Sequence, residues 1–228
     1  MNSAKTITLL MAEDHAVVRQ GLCALLNIDG GFKIVGEARS GREAVAMERA
    51  LRPDVILMDI AMPVLNGLEA TRQILTANPA ARIVILSAHT DHAYIERMTA
   101  AGVAGFLEKQ TSAELLTKAI REVAAGRSYF SPSIAKRLLP HANTPRDRAG
   151  VVKANGHDLT PREREVLQLV SEGFANKQIA AELGIAVKTV EKHREHLMTK
   201  LDIHDTATLT RFAISTGVVE SSVQLTII

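Results

Sequence analysis

The first half of the chain alternates between short apolar runs and amphipathic stretches. The runs are Ile7–Ala12, Lys33–Ala38, Val55–Met58, Arg82–Leu86 and Ala104–Leu107. Between and after them lie Ala16–Asn27, Gly41–Leu51, Gly67–Ala77, Asp91–Ala101 and Ser112–Ala125, with apolar residues at helical spacing. Strict β–α alternation predicts an α/β, doubly wound fold: a five-stranded parallel sheet with helices on both faces. The runs are almost continuously apolar, as strands covered on both sides are.

From about Ser131 the alternation stops. Ser131-Pro132-Ser133 can start a short helix through Leu139, and Pro140 to Gly156 shows no periodicity and reads as a mildly basic linker. Beyond the linker the chain reads as helical. Thr160-Pro161-Arg162-Glu163 has the form of a capping box with proline at the first helical position. Gly173 stops that helix, Asn176 is placed to cap a second, and Gly184 supplies a tight turn before a third. A fourth helix is expected from about Asp205 to Thr216. The pattern therefore divides into residues 1–130 (an α/β domain), 131–157 (a linker) and 158–228 (a small all-α, four-helix domain).

Composition changes this picture little. Of the 228 residues, 46% are hydrophobic and 23% charged, which suits folded domains. A net charge of +2 does not by itself argue for nucleic acid. From Leu159 to Gly217 eight acidic residues balance eight basic ones, so any basic face there is local. Cys23 is the only cysteine; it excludes an internal disulfide and a cysteine zinc site, and is expected in the core. A reducing cytoplasm suits this composition. No apolar run is long enough for a membrane span, and no secretory leader opens the chain.

The candidate chemistry lies at the carboxyl ends of the expected strands, where open parallel sheets bind ligands. Those ends carry Glu13 and Asp14, then Asp59, Ser87 and Lys109. Singly, each has an ordinary reading: a cap, a turn residue, a loop hydroxyl, a surface lysine. If the strand order is 2-1-3-4-5 they converge. Carboxylates gathered in one crevice repel one another unless a cation lies among them, and such oxygen ligands suit Mg²⁺. Asp59 is then placed to act as a nucleophile toward phosphorus.

These residues carry a resemblance. Glu13-Asp14, Asp59 within Met58-Asp59-Ile60-Ala61-Met62-Pro63, Ser87 and Lys109 resemble the motif set of response-regulator receiver domains, over about Lys5 to Gly126. The resemblance implies a flavodoxin-like fold with Asp59 as phosphoacceptor. It implies Mg²⁺ held by Glu13, Asp14, Asp59 and the backbone carbonyl of Ala61, with Ser87, Phe106 and Lys109 sensing the phosphoryl group. Three departures stand out: Glu13 where Asp is common, Gln110 where many receivers carry proline, and a switch aromatic, Phe106, that lacks a hydroxyl.

In the second half, Asn176 to Glu195 has the layout of two short helices joined by a tight turn. Leu159-Thr160-Pro161-Arg162-Glu163-Arg164-Glu165-Val166-Leu167, Asn176-Lys177-Gln178-Ile179-Ala180, Lys188-Thr189-Val190-Glu191-Lys192-His193 and Lys200-Leu201 resemble the LuxR-type helix-turn-helix. The whole chain is thus similar to the NarL/FixJ family of transcriptional regulators. The third helix is expected in the major groove, with Lys188, Glu191 and Lys192 facing base edges. Thr189, His193, Arg194 and Lys177 are expected on phosphates. Ala186 stands where the family often has a capping serine.

The function this implies is a cytoplasmic two-component response regulator. A sensor histidine kinase phosphorylates Asp59, and the protein regulates transcription on double-stranded DNA as a homodimer, with RNA polymerase a further partner. A stand-alone phosphohydrolase would need a second catalytic acid or a pocket-forming insertion near Asp59, which the sequence lacks.

Overall fold

A computed structural model describes residues 6–88, 92–138 and 159–219. The linker residues 140–156 and the apolar tail at 223–228 lie outside the described residues. The chain divides into two compact units, residues 1–144 and 145–228.

The first unit alternates as its sequence predicts: β1 (Ile7–Ala12), α1 (Ala16–Asp29), β2 (Phe32–Ala38), α2 (Gly41–Leu51), β3 (Val55–Asp59), α3 (Gly67–Ala77), β4 (Ile83–Ser87), α4 (His92–Ala101), β5 (Gly105–Glu108) and α5 (Ala113–Ala124). Two further elements come after α5, namely β6 (Tyr129–Phe130) and α6 (Pro132–Leu138). The sheet is parallel with order β2-β1-β3-β4-β5-β6, so the predicted five strands gain a sixth of two residues, paired to β5 through Phe106 and Phe130.

The strands bury both faces. Leu10, Ile56, Met58, Ile85 and Phe106 point into one core cluster, and Leu9, Met11, Leu57, Val84 and Leu107 into the other. The alternation within each strand follows the two-residue repeat of a pleated strand. α6 belongs to this unit: Ile134 is fully buried in the first cluster, and Ser131 N donates to the carbonyl of Phe106 at 3.1 Å. Residues 131–138, placed in the linker from sequence, are therefore helix and its entry, bound to the α/β domain. Cys23 is half-buried at the margin of the second cluster rather than in the core.

The second unit consists of α7 (Pro161–Ser171), α8 (Asn176–Leu183), α9 (Val187–Leu201) and α10 (Thr206–Ser215). Its core is Val166, Leu167, Leu169, Ile179, Val190, Leu197 and Leu209, all fully buried. The capping box at the start of α7 is formed: Glu163 N donates to Thr160 Oγ1, and Thr160 N donates to Glu163 Oε2 at 2.7 Å. Glu163 is itself buried and meets Lys200 Nζ of α9 at 2.7 Å. Burial alone would raise its carboxyl, but Lys200 and the Thr160 contacts outweigh this and lower it.

Candidate functional site

The sheet order places β1, β3 and β4 side by side, so their carboxyl ends form one rim. Glu13 follows β1, Asp59 ends β3, Ser87 ends β4 and Lys109 follows β5. Lys109 Nζ lies 2.8 Å from Asp59 Oδ2 and 2.8 Å from Glu13 Oε2, bridging carboxylates contributed by two adjacent strands. Ser87 is buried, and its carbonyl accepts from Lys109 N at 2.9 Å. The residues that sequence placed at one rim are thus brought together. Phe106 is fully buried in the core behind them.

The site carries more acid than base. Glu13, Asp14 and Asp59 bring three carboxylates, and Lys109 is the cation among them. The buried oxygens Glu13 Oε2, Asp14 Oδ1 and Asp59 Oδ2 accept no well-directed hydrogen bond, although Lys109 meets the first and third, and His15 Nδ1 the second, at ion-pair distance. Burial first, and the Glu13 charge second, push the Asp59 carboxyl up to about 6, against the opposing pull of Lys109. Burial would lower the Lys109 ammonium, but Asp59 and Glu13 hold it above its ordinary value. One ligand atom each from Glu13, Asp14, His15 and Asp59 lies within 4.8 Å of the others. Hard carboxylate oxygens in excess of their partners fit a small divalent cation such as Mg²⁺.

Three residues that the sequence pattern does not reveal shape this rim. His15, not Asp14, is the N-cap residue of α1, and it makes no side-chain cap. Its Nδ1 lies 2.8 Å from Asp14 Oδ1 and 3.1 Å from Glu13 Oε1; Asp14 above all raises its pKa. Arg19 is buried beneath the β1–α1 turn. Gly67 abuts Asp59: a Cβ there would lie 2.0 Å from the Asp59 carbonyl oxygen. A glycine directly after the Asn66 helix cap is the available signal for it.

The loop from Ile60 to Asn66 carries Ala61, whose carbonyl is the fourth candidate ligand. Leu65 N donates to the Pro63 carbonyl at 2.7 Å, which closes a γ-turn around Val64, and Val64 has φ +69°. That is a strained backbone for a β-branched residue. The Lys109–Gln110 peptide bond, which lacks the family's proline, is trans.

In the second unit α8, the turn at Gly184 (φ +62°) and α9 form the predicted two-helix layout. α9 buries Val190, Leu197 and Leu201 and exposes Lys188, Thr189, Glu191 and Lys192; Lys177 is exposed near the start of α8. His193 and Arg194 are half-buried. One expectation changes here, and a second gains a competing contact. Ala175, not Asn176, is the N-cap residue of α8, and the Asn176 side-chain oxygen accepts from Arg194 Nη1 at 2.7 Å. The guanidinium expected on a phosphate is thus engaged within the domain, with Thr206 Oγ1 a second partner at 3.5 Å. Ala186 leaves α9 without a side-chain cap, as its sequence implies.

Residues 9–121 match the response regulator receiver domain family, and residues 157–213 match the luxR family of bacterial regulatory proteins. The transcriptional regulatory protein DegU of Brevibacillus brevis is 33% identical over 210 residues, covering 87% of this chain and 89% of that protein. The response regulator protein VraR of Staphylococcus aureus is 35% identical over 200 residues, covering 88% and 92% respectively. Among solved structures, a LuxR-family two-component response regulator from Aurantimonas sp. superposes with a TM-score of 0.58 at 33% identity, over 60% of this chain and 99% of that one. The response regulator ChrA of a heme-sensing two-component system has a TM-score of 0.51 at 28% identity, over 94% and 99%. With a receiver, a LuxR-type helix-turn-helix and relatives matched along most of its length, the chain belongs to the NarL/FixJ family of two-component response regulators, DNA-binding regulators of transcription rather than enzymes.

Proposed function

We propose that Asp59 accepts a phosphoryl group from a sensor histidine kinase and that this modification gates DNA binding by α9. The observation that carries the reading is the Lys109 ammonium bridging Asp59 and Glu13 at 2.8 Å each. Side chains distant in sequence meet at one rim, with the nucleophile among them. An Asp59 carboxylate oxygen attacks phosphorus. As that P–O bond forms, the P–N bond of the phosphohistidine breaks, and its electron pair returns to the imidazole nitrogen.

Asp14, Asp59 and the Ala61 carbonyl would hold Mg²⁺ directly and Glu13 through water. When bound, the ion neutralises charge on the transferring group. Lys109 then pairs with a phosphoryl oxygen, and Ser87 donates a hydrogen bond to another. The product carries about −1.5 to −2 charge at neutral pH. Phe106, buried on β5 behind Lys109, reads the change through packing.

On DNA, Lys188, Glu191 and Lys192 face base edges from α9 in the major groove, and Thr189, His193 and Lys177 lie against phosphates. Arg194 acts from within the domain by holding α8 against α9. Phosphorylation favours a homodimer on two half-sites, with RNA polymerase as a further partner. The protein works in the cytoplasm; no described helix is long and apolar enough to cross a membrane.

The test is operator binding by the full chain with and without a small-molecule phosphodonor and Mg²⁺, with label on Asp59 followed in parallel. Phosphodonor tightens binding by wild type and leaves Asp59→Asn unchanged. Equal affinity for both proteins in both states overturns the gating while leaving DNA binding in place.

A further inference from the structure

Arg19 is an unusual residue for its place. It lies on the inner side of α1 with its side chain only 6% exposed, where an apolar residue would cost less to bury. Its guanidinium spans three acceptors. Nη1 donates to the carbonyl oxygen of Glu13 at 2.8 Å and approaches that of Asp14 at 3.3 Å; Nε donates to Glu37 Oε2 on β2 at 3.1 Å. The first two acceptors are the backbones of the acidic pair itself. Glu37 is half-exposed, so the guanidinium is not consumed in a closed buried ion pair.

The turn it supports is short. β1 ends at Ala12 and α1 begins at Ala16, so Glu13, Asp14 and His15 make the whole connection. Glu13 N is fixed by the Ala38 carbonyl at 3.0 Å. The carbonyl sides of Glu13 and Asp14 are held by Arg19. A residue whose two flanking peptide planes are both anchored has its Cα–Cβ direction fixed between them, which narrows where its carboxylate can reach.

We propose that Arg19 is a positioning residue of the cation site, gripping the carbonyls of Glu13 and Asp14 from inside the fold so that their carboxylates face Asp59. The proposal rests on the reading of that rim as a Mg²⁺ site. It calls for arginine specifically. A planar fork reaches two carbonyls and a carboxylate together, whereas a lysine ammonium is a single point of donors on a flexible stem. Groups that orient metal ligands from behind commonly change metal affinity by about 10–100-fold when removed.

The experiment is a calorimetric titration of the full chain with MgCl₂, comparing wild type with Arg19→Ala, Arg19→Lys and Arg121→Ala. Arg121 is the control: it ties α5 to Asp29 of α1 and lies 5.0 Å from the centroid of the Phe32 ring, away from the acidic turn. R19A and R19K are expected to weaken Mg²⁺ binding by about 10–100-fold, while R121A stays within about twofold of wild type. Phosphorylation of Asp59 in R19A by a small phosphodonor is expected to recover at saturating Mg²⁺, which a collapsed site would not allow. Should R19A fail to fold, R19K, which keeps the buried charge, carries the test. Mg²⁺ affinity in R19K within about twofold of wild type overturns the inference and leaves the cation site standing. A wild-type protein that binds no Mg²⁺ overturns both.

Discussion

Lys109 stands between Asp59 and Glu13, 2.8 Å from a carboxylate oxygen of each, so one ammonium serves two buried acids. It offsets only part of their repulsion, and Asp14 adds a third carboxylate beside them. The rim is therefore under electrostatic stress in the absence of a cation, and that stress has a sign that depends on pH.

The Asp59 carboxyl is raised to about 6 in the folded protein from an ordinary value of 3.8. A raised folded-state pKa contributes stability that is fully present below the unfolded value and lost as pH rises through the folded one. Between about pH 4 and pH 7 the cation-free protein loses this contribution. Asp59→Asn removes the titration and is expected to be more stable than wild type at pH 7.5 by about 1–3 kcal/mol, with the difference narrowing toward pH 4. Urea denaturation in the presence of a chelator at the two pH values measures it. An Asn variant no more stable than wild type at pH 7.5 would show that the repulsion is relieved elsewhere.

Val64 at φ +69° offers a second test. Left-handed backbone costs an L-residue about 1–2 kcal/mol, and glycine recovers most of that at an entropic cost of about 0.5–1 kcal/mol. Val64→Gly should stabilise the receiver by about 1 kcal/mol or less. Destabilisation in the same urea assay would mean that the side chain of Val64 matters more than its backbone.

Arg194 and Lys192 lie on one helix yet should behave differently on DNA. Lys192→Ala removes an exposed charge and should lower the slope of log affinity against log salt by about 1. Arg194→Ala loosens α8 from α9 through Asn176 and should weaken binding with the slope unchanged. Salt titrations on an operator fragment recovered by in vitro selection separate the two. A reduced slope for Arg194→Ala would place its guanidinium on a phosphate after all.

Ile134 tests where the receiver ends. It is fully buried although it lies beyond the last helix that the β–α alternation predicts for the domain. Ile134→Ala in the full chain should cost about 2–5 kcal/mol. The loss should fall on the receiver's unfolding transition, with that of the helix-turn-helix unmoved, as differential scanning calorimetry can resolve. An unchanged receiver transition would put α6 outside the domain.

Much of this fold is legible in the sequence because its signals are periodic. Four of the five longer strands are almost continuously apolar runs, and the capping box at Thr160 and the glycines at 173 and 184 mark helix ends by local chemistry. The rim residues can be placed once the strand order is assumed, since they directly follow strand ends. The features that stay hidden depend on contacts with no periodicity. β6 is two residues, too short for any repeat to show. Arg19 reads as one polar residue on α1, because two of its partners are backbone carbonyls, which the side-chain pattern does not describe. Asn176 has the residue type of a helix cap; the guanidinium that takes its oxygen instead lies 18 residues further along the chain.

The two borders of the sheet differ in a way that bears on self-association. At one border β6 offers only two residues of backbone to an incoming strand. At the other, β2 is seven residues long, but its pairing with β1 shifts register between Leu9 and Leu10, and Lys33 and Glu37 stand exposed along it. Short, kinked or charged borders are poor templates for intermolecular β-pairing. The proposed homodimer, a specific and reversible encounter, is thereby kept apart from the indiscriminate, aggregating kind.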